Sequence, residues 1–468
     1  MKKVYIDKRP LWLLFFIRFK NFFFLILLIL AFLLALTYSP QGISQNGYRA
    51  ILIFAFCGVL WATNVVPPSI TGFIAIVLIP LLNILPPKKT FALFGNEPVF
   101  FILSAFIIAL AMERSFLSKR ITFFFLSIGG VSEKKLVLSL YLVGGILSFF
   151  MPEHAVAAML LPIVKELANN LQLEKRKSNL GKLLFLSLAW GTIIGGITTF
   201  LGGARNALAV GLLEEIGGKR IGFMEWVGYS FPLVVFLFIT GIYILFIFYK
   251  PEKISLENAK KSIKQELAKL PPFTFKEIFV SIIIAATIVG WTAVGHKGLG
   301  LAVISLFSSI LFFVFGIIEW KDAERNLSWG TIFMYGGAIT LGSAFSQTDA
   351  SEYLISKIFV DGTSFILFAF LSGFLALLLT EFMSNAAVVA LLMPLVLKIG
   401  INFNYNLNIL TVSVALMSGL AFTLPIGTPS HTIAYSSGYY SIWDSLKAGF
   451  IMNIFAVIGL FVCLKLFW

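Results

Sequence analysis

The sequence predicts an all-α polytopic membrane protein of about eleven transmembrane helices and two re-entrant hairpins, arranged as inverted repeats. Three observations predict it. Of 468 residues, 59% are hydrophobic and 12% charged, with a mean hydropathy of +0.95, which leaves too few charges to clothe a water-soluble domain. Apolar stretches near 20–38, 49–65, 69–86, 99–113, 228–249, 277–295, 299–318 and 445–468 are mostly long enough for a hydrocarbon core of roughly 30 Å. Finally, Met151-Pro-Glu-His-Ala-Val-Ala-Ala-Met-Leu-Leu-Pro162 is echoed by Met383-Ser-Asn-Ala-Ala-Val-Val-Ala-Leu-Leu-Met-Pro394, 232 residues on (383 − 151).

The first apolar run follows Lys2, Lys3, Lys8, Arg9, Arg18 and Lys20 and continues without a small-residue cleavage site. It reads as an uncleaved helix with a cytoplasmic N-terminus. The basic stretches 165–182 and 250–276 are then cytoplasmic too, and an odd number of spans leaves the C-terminus external. Residues 1–249 form an N-terminal membrane half and 277–468 a C-terminal one. Between them, 250–276 sets Ile254, Leu256, Ile263, Leu267 and Leu270 among lysines and glutamates before Pro271-Pro272, the pattern of a surface linker helix. The net charge of +14 fits topology and the anionic lipid bilayer of a cell (plasma) membrane, and no nucleic-acid partner is expected.

Several chemistries are excluded. Cys57 and Cys463 lie in apolar spans and suggest no disulfide or metal framework. Three histidines are too few for a His-rich cage, and His296 falls in a loop as a structural or solvated residue. With no nucleotide-binding loop and no catalytic triad spacing, neither an enzyme nor an ATP-driven pump is expected, and no organic cofactor.

Each half carries a polar hairpin tip and, 40 to 50 residues later, a Gly-rich break. The breaks are Gly195-Gly-Ile-Thr-Thr-Phe-Leu-Gly-Gly-Ala-Arg-Asn206 and Leu424-Pro-Ile-Gly-Thr-Pro-Ser-His431. Gly202 and Gly427 are 225 apart (427 − 202), close to the hairpin offset. In inverted copies, tips and breaks converge near the bilayer midplane. Free N–H groups at broken helices hold anions, while freed carbonyls and Ser or Asn oxygens hold Na⁺. A small anion with a cation is the natural cargo.

The strings Leu60-Trp-Ala-Thr-Asn-Val-Val-Pro-Pro-Ser-Ile-Thr-Gly72, Phe106-Ile-Ile-Ala-Leu-Ala-Met-Glu113 with Leu117-Ser-Lys-Arg120, Trp329-Gly-Thr-Ile-Phe-Met-Tyr-Gly-Gly-Ala338 and Thr380-Glu-Phe-Met-Ser-Asn385 run in order along the chain. Together they resemble the divalent anion:sodium symporter family. The resemblance implies a homodimer whose protomers combine a scaffold domain with a transport domain. It also implies elevator-type transport of di- or tricarboxylates or sulfate, and sodium as the coupling ion. The family carries Ser-Asn-Thr at both tips. Here the second tip is Ser384-Asn385-Ala386 and the first is Pro152-Glu153-His154, while the family's Gly-Thr-Pro-Pro-Asn break becomes Gly202-Gly-Ala-Arg205-Asn206 and Gly427-Thr-Pro-Ser-His431.

The candidate site follows. Ser384, Asn385 and the backbone at Gly427 and Thr428 are expected to form a retained sodium site. His154, Arg205, Asn206 and His431 are expected to bind the anion, with Asn385, Ala386 and Thr428 at family substrate positions. Glu153 has three readings: an acid in the first turn of a helix after Pro152, a partner for Arg205 that replaces the first-half Na⁺, or a proton carrier together with His154. Ser384 and Asn385 also suit the cap of a buried half-helix. A buried guanidinium must be satisfied by substrate or by Glu153, and its fork suits carboxylate, sulfate or phosphate alike. The expected function is secondary active transport of small anions coupled to sodium. Proton-coupled symport, ion-independent anion exchange and, against the fixed charge of Arg205, cation/proton antiport remain as alternatives.

Overall fold

A computed structural model describes residues 11–38, 40–129, 132–293, 300–358 and 363–468, with side chains from residue 19 onward. His296, Lys2, Lys3, Lys8 and Arg9 lie outside the described residues. The regular structure among them is helical throughout. The chain runs α1 (Leu11–Leu36), α2 (Gln45–Thr63), α3 (Pro68–Leu81), α4 (Pro87–Phe94), α5 (Glu97–Arg114), α6 (Leu117–Gly129), α7 (Glu133–Leu147), α8 (Glu153–Asn170), α9 (Asn179–Gly196), α10 (Ala204–Gly217) and α11 (Phe223–Phe248). A short α12 (Glu257–Lys269) follows. Then come α13 (Phe275–Ala293), α14 (Gly300–Val314), α15 (Trp320–Asn326), α16 (Trp329–Ser346), α17 (Ala350–Ile358), α18 (Phe365–Thr380), α19 (Asn385–Asn402), α20 (Leu407–Met417), α21 (Pro429–Tyr435) and α22 (Ile442–Leu466).

The order α2 to α11 recurs as α13 to α22. The offset is 232 residues for α5 and α16 (329 − 97) and for α8 and α19 (385 − 153), and it falls to 219 for α11 and α22 (442 − 223). Packing repeats the exchange that a two-fold demands. Helix α3 lies on α16 as α5 lies on α14, and α8 meets α21 as α19 meets α10. Helices α11 and α22 pack on each other.

Among the described residues, seven helical stretches are long and apolar enough to cross a membrane by length and composition, and four shorter apolar helices, α3, α14, α18 and α20, bring the number to the eleven expected. The short ones have local causes. Helix α3 ends where Asn83 turns left-handed (φ 58°), and α14 ends before Gly316 (φ 63°). Helices α18 and α20 stop at the second tip and the second break.

Both tips are built by N-caps. Pro152 caps α8 with no side-chain hydrogen bond, which places an acid in the first turn where the helix dipole favours it. Ser384 caps α19, its hydroxyl accepting from the Ala387 N–H at 3.4 Å. Helix α12 buries Ala259 and Ile263 and packs against α6 and α8. Cys57 and Cys463 are buried free thiols in α2 and α22.

Helix α9 is drawn against α7 by glycines one turn apart. A Cβ on Gly195 would lie 2.3 Å from the Gly145 carbonyl oxygen and 2.7 Å from its Cα, and one on Gly191 would lie 2.3 Å from the Tyr141 carbonyl oxygen. Small residues at such spacing let helix backbones approach closely where lipid offers no hydrophobic drive. Gly195→Leu therefore has no room. Overpacking of this kind costs about 1–3 kcal/mol or more, and the expected result is loss of the monodisperse peak in size-exclusion chromatography. A normal elution profile and unchanged melting would show that the two helices can part.

Candidate functional site

A cavity of about 310 Å³ lies between the two tips on one side and α3 and α16 on the other. Its wall is made of helix beginnings: Pro68 and Ser69 of α3, Glu153 and His154 of α8, Ala204 and Arg205 of α10, Gly330 and Thr331 of α16, and Asn385 and Ala386 of α19. Five helix N-termini thus border one space, and their positive dipole ends favour an anion there. Pro429 opens the short α21 at the same wall, and Tyr335 and Met334 complete it.

Arg205 is held by Glu153. Nη1 lies 3.1 Å from Oε1 and Nη2 donates to Oε2 at 3.2 Å, a fork-on-fork pair with both residues buried, 4% and 3% exposed. A guanidinium fits here because the opposite wall is glycine. A Cβ on Gly419 would lie 2.3 Å from Nη2 and 2.4 Å from Nε. The Nε itself has no hydrogen-bond partner.

Asn385 sits beside the pair and faces a cluster of oxygens. Its inward atom lies 2.8 Å from Thr380 Oγ1, 3.0 Å from the Gly427 carbonyl and 3.3 Å from the Ser418 carbonyl. With the amide nitrogen inward, it donates to these acceptors and its oxygen accepts from Arg205 Nη1 at 3.2 Å. With the oxygen inward, four oxygens converge and the nitrogen reaches Glu153 Oε1 at 3.4 Å. Amide orientation follows the partners present. The first suits the protein alone and the second suits a bound cation. The donors fit sodium, since carbonyls at a helix C-terminus and in an unwound segment, joined by side-chain oxygens, are its ordinary ligands in such folds. Glu381, within the Thr380-to-Asn385 string, holds that segment. Its carboxylate accepts from the Thr423 N–H at 3.0 Å, the Leu424 N–H at 2.7 Å and Asn453 Nδ2 at 2.6 Å.

The structure brings together most of the residues singled out from the sequence. Glu153, His154, Arg205, Ser384, Asn385 and Ala386 all line the cavity, and Gly427 contributes its carbonyl to the oxygen cluster. Three expected substrate ligands stand elsewhere. Asn206 is fully buried and spends its amide on the Gly196 and Thr199 carbonyls, at 3.0 and 2.8 Å. Thr428 caps α21 by accepting from the His431 N–H at 3.2 Å. His431 is fully buried, its Nε2 2.9 Å from Ser445 Oγ. All three brace the breaks, away from the cavity. Sequence reasoning had missed the facing wall, Ser69, Tyr335 and the hydroxyl pair Ser328–Thr331 (2.7 Å). A signal existed, since Ser69 and Tyr335 lie inside two of the family-like strings.

The model for the sodium:sulfate symporter transmembrane region matches residues 19–468. The chain belongs to the sodium:sulfate symporter family. Curated relatives include the sodium-dependent dicarboxylate transporter SdcS of Staphylococcus saprophyticus, 27% identical over 452 residues covering 90% of this chain and 86% of the relative. SdcS of Staphylococcus aureus is 28% identical over 456 residues, covering 92% and 88%. Among solved structures, Neisseria gonorrhoeae MtrF, described as illuminating a class of antimetabolite efflux pumps, shares the fold at a TM-score of 0.57 and 11% identity over 84% of each chain. The Alcanivorax borkumensis YdaH transporter does so at 0.53 and 11%, over 79% of this chain and 85% of that one. Symporter-family membership makes this chain an integral membrane protein and accounts for the duplicated, broken-helix architecture.

Proposed function

We propose that this chain is a secondary active transporter of small anions, di- or tricarboxylates or sulfate, driven by sodium. The observation that carries the reading is the junction of a cavity walled by five helix N-termini with an oxygen cluster around Asn385. Anion and cation would bind at neighbouring places on the same tip. His154, Ser384 and the N-terminal ends of α8 and α19 would hold the anion, while Asn385, Thr380 and the carbonyls of Ser418 and Gly427 would hold Na⁺. Bound sodium would supply positive charge beside the anion, and the protein's part is to position both. Curated relatives named for sodium-dependent dicarboxylate transport support the cargo class.

The motion we propose is an elevator. Helices α7–α11 with α18–α22 would move as the transport domain against a scaffold of α1–α6 and α13–α17, since the cavity lies between tips from the one and α3 and α16 from the other. The halves 1–249 and 277–468, joined by 250–276, would sit in a plasma membrane as a homodimer with the N-terminus cytoplasmic and the C-terminus external. Antiport of cations against protons is disfavoured, because both oxygens of Glu153 are engaged by Arg205.

Proteoliposomes loaded with potassium salt and given external [¹⁴C]succinate or [³⁵S]sulfate test the reading. An inward sodium gradient is expected to drive accumulation of one of them. Uptake that ignores sodium, or counterflow that persists without any cation gradient, would replace symport with exchange.

A further inference from the structure

The two breaks are equivalent by position and unlike in chemistry. In the second half, the Gly427 and Ser418 carbonyls face the Asn385 side chain together with Thr380 Oγ1, which donates to the Ser418 carbonyl at 2.6 Å. The Gly427, Thr380 and Asn385 positions have first-half counterparts, and each of these is engaged within the protein. The Gly202 carbonyl, equivalent to Gly427, accepts from the Glu153 N–H at 2.9 Å. Near the C-terminal end of α9, the Gly196 carbonyl accepts from Asn206 Nδ2, which also reaches Thr199 at 2.8 Å. Ser148, 232 residues before Thr380 (380 − 148), turns its hydroxyl back to the Gly144 carbonyl at 2.8 Å. Glu153, 232 before Asn385 (385 − 153), gives both carboxylate oxygens to Arg205. Asn206 Oδ1 and Thr198 Oγ1 are left without a partner in the first half, but the groups at the positions of Gly427, Thr380 and Asn385 are engaged within the protein.

We infer that the guanidinium of Arg205 serves as the first-half cation, fixed to the protein, and that coupling runs through a single sodium site around Asn385. The inference rests on the symport reading for its purpose. Its structural half stands alone: the first-half residues do not fit a sodium ion, and the charge that an ion would bring is already present on Arg205. A tethered cation moves with the transport domain in both directions, loaded or empty, so it adds positive field for the anion without drawing on the gradient. The concentrating power of such a carrier is that of one ion fewer.

Thermal unfolding of the purified protein in detergent reads the ion count without any substrate. NaCl is titrated against choline chloride at constant ionic strength, because stabilisation by an ion that binds only the folded state rises with the logarithm of its concentration, once per ion bound. We expect a sodium-specific rise in Tm with a one-ion slope, lost in Asn385→Ala. Thr380→Val serves the same purpose if that variant does not fold. A two-ion slope, a rise that survives both substitutions, or no rise at all in the unmodified protein overturns the inference. In proteoliposomes the sodium dependence of uptake is expected to have a Hill coefficient of about 1, and a value of about 2 overturns it equally. If neither succinate nor sulfate enters while the one-ion stabilisation holds, the cargo reading fails and the single-site inference stands.

Discussion

Arg205→Met is expected to be the most damaging single substitution for folding, and Glu153→Leu with Arg205→Met together a milder one. Both partners are buried and meet at two points, one ion-pair contact and one hydrogen bond. Removing one leaves the other uncompensated, which costs about 3–5 kcal/mol, whereas replacing a buried pair by apolar residues of similar volume is often neutral. Methionine reaches about as far as the arginine stem and passes Gly419 without the clash a branched residue would make. The order of melting temperatures should therefore be wild type near the double variant and both well above Arg205→Met. Salt should leave that order unchanged, since a pair this deeply buried is poorly screened. Transport separates the variants differently: the double variant recovers the fold yet loses the fixed positive charge, so its anion uptake should stay near background. A double variant as unstable as the single one would mean that the pair's geometry, and not its charge, holds α8 to α10.

How far the sequence showed this site depends on the kind of information. The repeat was legible because tips and breaks need residues that stop helices, and proline, glycine, serine and asparagine do so for local reasons. Pro152 and Ser384 cap α8 and α19 as their places in the sequence suggest. The pairing of Glu153 with Arg205 was also within reach, since few partners can satisfy a guanidinium at a helix break. What was hidden is the direction of side chains once the break folds. Asn206 and His431 occupy equivalent places, 225 apart (431 − 206), and both turn inward to brace their own breaks. Nothing in their spacing distinguishes an amide that ties two carbonyls from one that meets substrate. The facing wall was hidden for another reason. Ser69 and Thr331 come from α3 and α16, which meet the tips only through the exchanged packing of the two halves. Seven long apolar helices and four shorter ones make eleven among the described residues, the number of crossings the sequence predicts.

Asn385→Ala is expected to abolish sodium-driven uptake, with a loss of at least about 100-fold, since even groups that only support a metal's ligands contribute 10–100-fold to its binding. Alanine removes the one side-chain oxygen that can swing into the cluster of Thr380, Ser418 and Gly427, and it also removes a contact to the Arg205–Glu153 pair. Comparison with Glu381→Gln separates a ligand from the group that positions it. Glu381 takes two backbone N–H groups and the Asn453 amide on its carboxylate, so it fixes the unwound segment that presents the Gly427 carbonyl without itself reaching the cavity. Glutamine keeps the shape but turns an NH₂ toward one of those donors. The segment should loosen, raising the sodium concentration for half-maximal uptake by about 10-fold or more while the rate at saturating sodium stays within a few-fold. Asn385→Ala should lose both affinity and saturating rate, because the oxygen it removes cannot be restored by more sodium. If Glu381→Gln instead lowers the saturating rate and leaves the sodium dependence unchanged, then its carboxylate acts in the movement of the transport domain, and the cation cluster holds its shape without it.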